Sequence, residues 1–170
     1  MTRKIVIAVD GNTPQAVKLL EWAAENLNIR SPKKGDTTDE VASAEADVHV
    51  TILYVTIPPK LPDWGFHTLF TGDQVWEDIL VENQKRAEAA KDALRDHAAR
   101  LELPAGVESR PGDPREVISS FVKSSGTELL VVGSRGLSGA TAMLMGSVSS
   151  YLVANAGCSV VVYRAPKETA

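Results

Sequence analysis

Gly133 and Gly136, followed after nine residues by Gly146 and Ser147, form a stretch whose residue types and spacing suit the holding of an anion. Glycine has no Cβ, so backbone N–H groups approach a ligand directly and adopt concave, positive-φ arrangements that act as donor nests for phosphate. Gly146-Ser147 falls where a helix begins, and a helix N-terminus offers unpaired N–H groups and the positive end of its dipole; the Ser147 hydroxyl adds a donor. Arg135 brings a guanidinium, a good partner for phosphate oxygens, to a chain of formal net charge −4. Taken singly, each glycine reads equally as turn punctuation, and Ser147 as an ordinary helix cap. Taken jointly, two glycines directly after a buried strand and a third heading the next helix read as a phosphate cradle. The cradle is not a P-loop, because Gly-Lys-Ser/Thr occurs nowhere in the chain. Nor is it a dinucleotide fingerprint, since Asp10-Gly11-Asn12 stands where G-x-G-x-x-G is needed.

The elements that must position this loop follow from periodicity. Residues 5–9 (Ile-Val-Ile-Ala-Val) form a continuous apolar run of strand length, the pattern of a strand buried on both faces. Thr13-Pro14 then starts a helix, a capping hydroxyl followed by proline where its missing N–H costs nothing, and Val17, Leu20, Ala24 and Leu27 predict its buried stripe. A second strand is expected over 49–55, closed by Pro58, Pro59 and Pro62. A long helix is expected from about 74 to 101, with Ala87, Ala90, Leu94, Ala98 and Leu101 inward. A short strand over 107–110 leads to the cap-plus-proline pair Asp113-Pro114 and a helix with Val117, Ile118, Phe121 and Val122 inward, ending near Gly126. Residues 129–132 make the fourth strand. Val148, Leu152, Val153 and Ala156 mark a fourth helix stopped by Gly157, and 160–163 form the fifth strand. Strands of this type alternating with helices imply a parallel sheet wrapped on both faces. Ligands in such sheets bind beyond the carboxyl ends of the strands, so the loops after strands one and four are the ones to watch.

Composition bounds the function classes. At 170 residues, 44% hydrophobic and 24% charged, the chain suits one domain over 1–170 with a polar insertion near 31–47 and a long loop near 57–73. Trp64, Phe66 and Phe70 in that loop read either as core cover or as a lid or partner patch. The negative net charge speaks against nucleic-acid binding, which needs cations to displace phosphate counterions. Cys158 is the single cysteine, and His49, His67 and His97 show no metal-ligand spacing, so neither an internal disulfide nor a structural metal is expected. No apolar run approaches the ~20 residues that span a bilayer, and the cytoplasm is the expected compartment.

At this point the sequence resembles a known family. Gly133-Ser134-Arg135-Gly136, nine residues, then Gly146-Ser147-Val148 is similar to the signature of ATP-binding universal stress proteins. Residues 5–10 resemble the family's opening strand and aspartate, and 50–55, Gly112-Asp113-Pro114 and 159–163 follow in matching order. The resemblance implies a Rossmann-like, adenine nucleotide alpha hydrolase-like α/β fold, with a five-stranded parallel sheet in the order 3-2-1-4-5. It places Val55 beside adenine and Asp10 near the ribose or a phosphate-bound Mg2+. Ala8 and Val132 then line the cleft floor, and Gly133, Arg135, Gly136, Gly146, Ser147 and Val148 wrap the phosphates of ATP. The plain alternatives are core packing for Ala8, Val55, Val132 and Val148, and a turn role for Asp10. The insertion at 31–47 and the segment 57–73 depart from the family's pattern. Strand 160–163 is expected at an apolar sheet edge that seeks a partner, and the resemblance also implies a homodimer built by antiparallel pairing of that strand.

Three functions compete. A nucleotide-dependent regulatory or stress-response module needs the phosphate loop and Asp10 and no nucleophile. An ATP-dependent enzyme needs a positioned base or activated nucleophile beside the phosphates, and no Ser-His-Asp or Cys-His pairing can be placed there; slow hydrolysis at most is the expectation, with no catalytic residue assigned. A flavin or electron-transfer domain of the same architecture would need an aromatic sandwich for its ring system. The regulatory module fits best.

Overall fold

Apolar runs too short for helices and bounded by polar turns become the five parallel strands of a single sheet in the computed structural model, which describes residues 3–11, 13–27, 29, 48–59, 73–134 and 145–166. The elements run β1 (Arg3–Val9), α1 (Pro14–Asn26), β2 (Val48–Thr56), α2 (Asp73–Arg100), β3 (Ala105–Pro111), α3 (Pro114–Ser125), β4 (Leu129–Gly133), α4 (Ser147–Asn155) and β5 (Ser159–Tyr163). The sheet order is β3-β2-β1-β4-β5, as the family resemblance implies. The 31–47 insertion, Trp64, Phe66 and Phe70, and the loop residues Arg135 and Gly136 lie outside the described residues.

Each strand of the sheet's centre is buried on both faces, which is why its sequence runs apolar without alternation. One core cluster gathers Ile5, Ile7, Ile52 and Val131 with Leu19, Leu20 and Ala23 of α1 and Leu94 and Ala98 of α2. The other gathers Val6, Ala8, Leu53, Val55, Leu130 and Val132 with Ile118, Phe121 and Val122 of α3 and Leu152 of α4. Alternate residues of one strand therefore serve opposite helical layers, as the pleat requires.

Helix ends are set locally. Thr13 caps α1 with its side chain, and Gly126 ends α3 in the left-handed conformation (φ 66°, ψ 41°) that glycine adopts without a Cβ penalty. The buried face of α1 departs from the predicted stripe: Ala16, Leu19, Leu20 and Ala23 are the buried residues, while Val17, Ala24 and Leu27 are half-buried. In α2, Leu94 and Ala98 are buried and Ala87, Ala90 and Leu101 half-buried, as their spacing predicts. Residues 77–86 of that helix are mostly exposed, with Ile79, Leu80 and Val81 open to solvent.

Candidate functional site

β1 delivers Asp10 to the carboxyl edge of the sheet, and α1 begins four residues later, at Pro14. Thr13 serves both. Its Oγ1 accepts a hydrogen bond from Ala16 N (3.1 Å), capping the helix, and donates to Asp10 Oδ1 (2.8 Å). The carboxylate is thereby held in one orientation at the mouth of the β1–α1 turn. Between them Gly11 has φ +105°, a conformation that L side chains rarely adopt, and a Cβ there would stand 3.4 Å from the Tyr54 ring. Tyr54, beside Val9 in the next strand, thus covers the turn at its backbone.

The second wall comes from β4 and α4. Gly133 ends β4 in register with Tyr163 of β5, and Ser134 N donates to Tyr163 O at 2.7 Å. Gly146 N donates to Ser134 O, also at 2.7 Å, so the two ends of the loop between them are tied together. Gly146 is the N-cap of α4, with φ −60° and ψ 153° and no side-chain cap bond. Ser147 is consequently the first helical residue, which removes its plain alternative as a cap. The first bond into the helix runs from Ser150 N to Gly146 O (2.9 Å), and among the described residues no side chain takes up the N–H groups of Ser147, Val148 or Ser149. An uncapped helix start of this kind is an anion site in waiting: three donors and the positive dipole end are directed at one place. The buried Ser149 hydroxyl points elsewhere, donating to the Gly133 carbonyl at the end of β4.

The register brings the two walls together. Ala8 pairs with Val132 on one side and Leu53 on the other, and Val9 pairs with Tyr54, so Asp10 and Val55 emerge at the same level of neighbouring strands. Ala8, Asp10, Val55, Val132, Gly133, Gly146, Ser147 and Val148 all lie at this carboxyl edge. Ala8, Val55 and Val132 are 7%, 7% and 3% exposed, and their side chains belong to the core beneath α3 and α4. Asp10 and Gly146 are half-buried and Ser147 is exposed, which leaves them accessible. The glycine freedom expected of the cradle is not used at Gly146, whose φ is ordinary extended backbone; what glycine provides there is the missing side chain.

Sequence reasoning missed three participants: the Thr13 link to Asp10, the Tyr54 ring and the Ser149 hydroxyl. Thr13 was legible as a cap. The other two are a tyrosine inside an apolar strand and one serine among several, with no local signal to single them out.

Of the groups with displaced pKa values, Asp113 and Arg115 follow β3 at this same carboxyl edge, whereas Cys158 precedes β5 at the opposite one. Asp113, the N-cap of α3, is held at about 2 by the Arg115 side chain and the Arg115 backbone N–H. Burial pushes the Cys158 thiol up, away from thiolate chemistry. The open grooves beside Trp22 and Tyr163, and beside Arg110 and Phe121, are lined by none of the cleft residues.

An open parallel sheet in which β1 and β4 are paired at the centre and the strand order reverses between them, with the start of α4 at the same carboxyl edge, defines a doubly wound α/β protein. The comparisons with known proteins agree. A model described as the universal stress protein family matches residues 1–164. Universal stress protein YxiE of Bacillus subtilis is 28% identical over 164 residues, covering 96% of this chain and all of that one. Universal stress protein UspA from Lactobacillus plantarum superimposes with a TM-score of 0.70 at 21% identity, covering 95% of this chain and 97% of that one. A universal stress protein family protein from Arabidopsis thaliana with AMP bound gives a TM-score of 0.62 at 19% identity, covering 98% and 94%. The chain belongs to the universal stress protein family.

Proposed function

We propose that this protein is an adenine-nucleotide-binding regulatory module of the stress response, holding ATP in the cleft between Asp10, Val55 and the loop from Gly133 to Ser147. The observation that carries the reading is the start of α4, where among the described residues no side chain takes up the first N–H groups and the N-cap is tied back to Ser134 beside the end of β4. The phosphates lie against Gly133, Gly146, Ser147 and Val148, and Arg135 and Gly136 of the same loop complete the wrap. Adenine meets the backbone at Val55, between the sheet edge and the turn that Tyr54 covers. The AMP carried by the Arabidopsis relative supports an adenine nucleotide as the ligand class.

Asp10 faces the ribose or a magnesium ion. Among the described residues no three His, Cys, Asp or Glu side chains gather, so Mg2+ would arrive with the phosphates and touch the protein at Asp10, in keeping with its preference for substrate oxygens and water. Anchored by Thr13, Asp10 is a holding group; one carboxylate can hardly be both anchor and base. Titration of purified protein with Mg-ATP, with phosphate release followed in the same samples, tests the reading. Saturable binding with turnover slower than about one per second, below the ordinary enzyme range, is expected. Absence of binding overturns the reading, and faster turnover that disappears in Asp10→Ala makes the protein an ATPase instead.

The working unit is a cytoplasmic homodimer joined through β5. Among the described residues that strand pairs with β4 alone, and Val160, Val161, Val162 and Tyr163 are only half-buried, so apolar surface and strand backbone stand at one edge of the sheet. Val161→Pro removes a ladder donor at mid-strand and is expected to convert dimer to monomer in sedimentation. A wild-type monomer at micromolar concentration would sink the assembly.

A further inference from the structure

We infer that Ser149 is a positioning residue of the phosphate cradle: its hydroxyl bolts the first turn of α4 to the end of β4 and so sets where the helix's free N–H groups point. The inference rests on the nucleotide reading above and deepens it.

Ser149 is the third residue of α4 and is 4% exposed, so its hydroxyl cannot reach a ligand in the cleft. A serine at this place in a helix commonly faces solvent or bonds back within its own turn. Here the Oγ leaves the helix and donates to Gly133 O, sixteen residues earlier. Gly133 is the last residue of β4 and the first glycine of the cradle. The same Ser149 contributes, through its backbone N–H, one of the three donors that open α4. A single residue therefore carries a donor for the ligand and the bolt that fixes that donor relative to the strand.

The bolt matters because few bonds among the described residues fix the start of this helix. Gly146 supplies no side chain, and Gly146 N to Ser134 O is the other hydrogen bond among the described residues that joins this turn to the end of β4. One bond lets the helix start pivot; two bonds on neighbouring carbonyls, Gly133 and Ser134, fix both its distance and its direction. Hydrogen bonds to an anion weaken steeply with misalignment, so the loss of direction is felt by phosphate and not by the base at the far end of the cleft.

Ser119 provides the matched control. It too is a buried serine, 6% exposed, whose hydroxyl donates to a backbone carbonyl, that of Asn155 at the other end of α4 (3.3 Å). A purely structural contribution to α4 packing would make Ser119→Ala and Ser149→Ala equivalent.

The experiment is calorimetric titration of ATP and of adenosine into wild type, Ser149→Ala and Ser119→Ala, with melting temperatures recorded for all three. Loss of the bolt is expected to weaken ATP by about tenfold, the equivalent of one buried hydrogen bond. Adenosine affinity stays within about twofold of wild type, since adenosine carries no phosphate for the cradle to hold. Ser119→Ala is expected to lower the melting temperature comparably and leave both affinities alone. Equal ATP affinity in Ser149→Ala and wild type overturns the inference. So does parallel loss of ATP and adenosine, or an equal loss of ATP in Ser119→Ala. A wild type that binds neither ligand overturns the nucleotide reading itself and this inference with it.

Discussion

Gly146→Val is expected to weaken ATP binding by about a hundredfold, the equivalent of losing roughly two charge-assisted hydrogen bonds, while the protein stays folded. The backbone reason is favourable to the test. With φ −60° and ψ 153°, Gly146 occupies extended space that valine prefers, and Gly146 N already donates to Ser134 O, a bond the substitution keeps. What changes is the volume in front of the first turn of α4. An isopropyl group, three added carbons, replaces a hydrogen beside the N–H groups of Ser147 and Val148, where a phosphate must come within hydrogen-bond distance to gain from them. Gly146→Ala, with one added carbon, should fall between wild type and valine. Isothermal titration on the three proteins decides it, with unfolding curves to show that the fold survives. An unchanged affinity in Gly146→Val would place the phosphates somewhere other than the start of α4.

The parts of this protein legible in its sequence are those set by neighbours in the chain. Thr13-Pro14 and Asp113-Pro114 announce helix starts because capping and proline act within one turn, and the helices begin at Pro14 and Pro114. Gly126 announces a stop because the left-handed cap is a property of a single residue. The continuous apolar runs announce buried parallel strands, and the right-handed crossover limits how they can be arranged. Strand order was available only through resemblance to a family, since periodicity says that a strand is buried and not which strand lies beside it.

Site residues divide along the same line. Asp10, Gly146 and Ser147 stand out by type and spacing, and the fold brings them to one edge. Ser149 does not, because Ser147, Ser149 and Ser150 are alike until the helix has a direction; then Ser149 is buried and its two neighbours of the same type are exposed. Ala8, Val55 and Val132 were expected at the cleft floor, and the pleat turns their side chains into the core under α3 and α4. Tyr54 covers the Asp10-Gly11 turn only because β2 lies beside β1, a pairing between segments some forty residues apart in sequence.

Leu94→Ala should lower stability by about 3 kcal/mol, within the usual span for emptying a buried leucine site, and ATP should restore most of that loss without touching the cavity. Leu94 is fully buried in α2, in the core cluster beneath α1 and α2, across the sheet from α4. The truncation leaves a void that the β-sheet on one side and helix backbone on the other fill poorly. For a chain of this length the melting temperature should fall by about 6–12 °C. ATP bound only by the native state adds RT ln(1 + [L]/Kd), about 2.7 kcal/mol at a hundred times its Kd. Because the cavity lies within the layer of α1 and α2 and the cleft at the carboxyl edge of the sheet, the two effects should add. ATP then raises the melting temperatures of wild type and Leu94→Ala by similar amounts, and it does far less for Gly146→Val. Thermal melts of the three proteins with and without Mg-ATP make the comparison. A shift in wild type without one in Leu94→Ala would mean that the layers are coupled and that the cleft depends on the packing of α2. No shift in either would mean that ATP does not bind the native state preferentially, and the nucleotide-binding role proposed for this fold would fail.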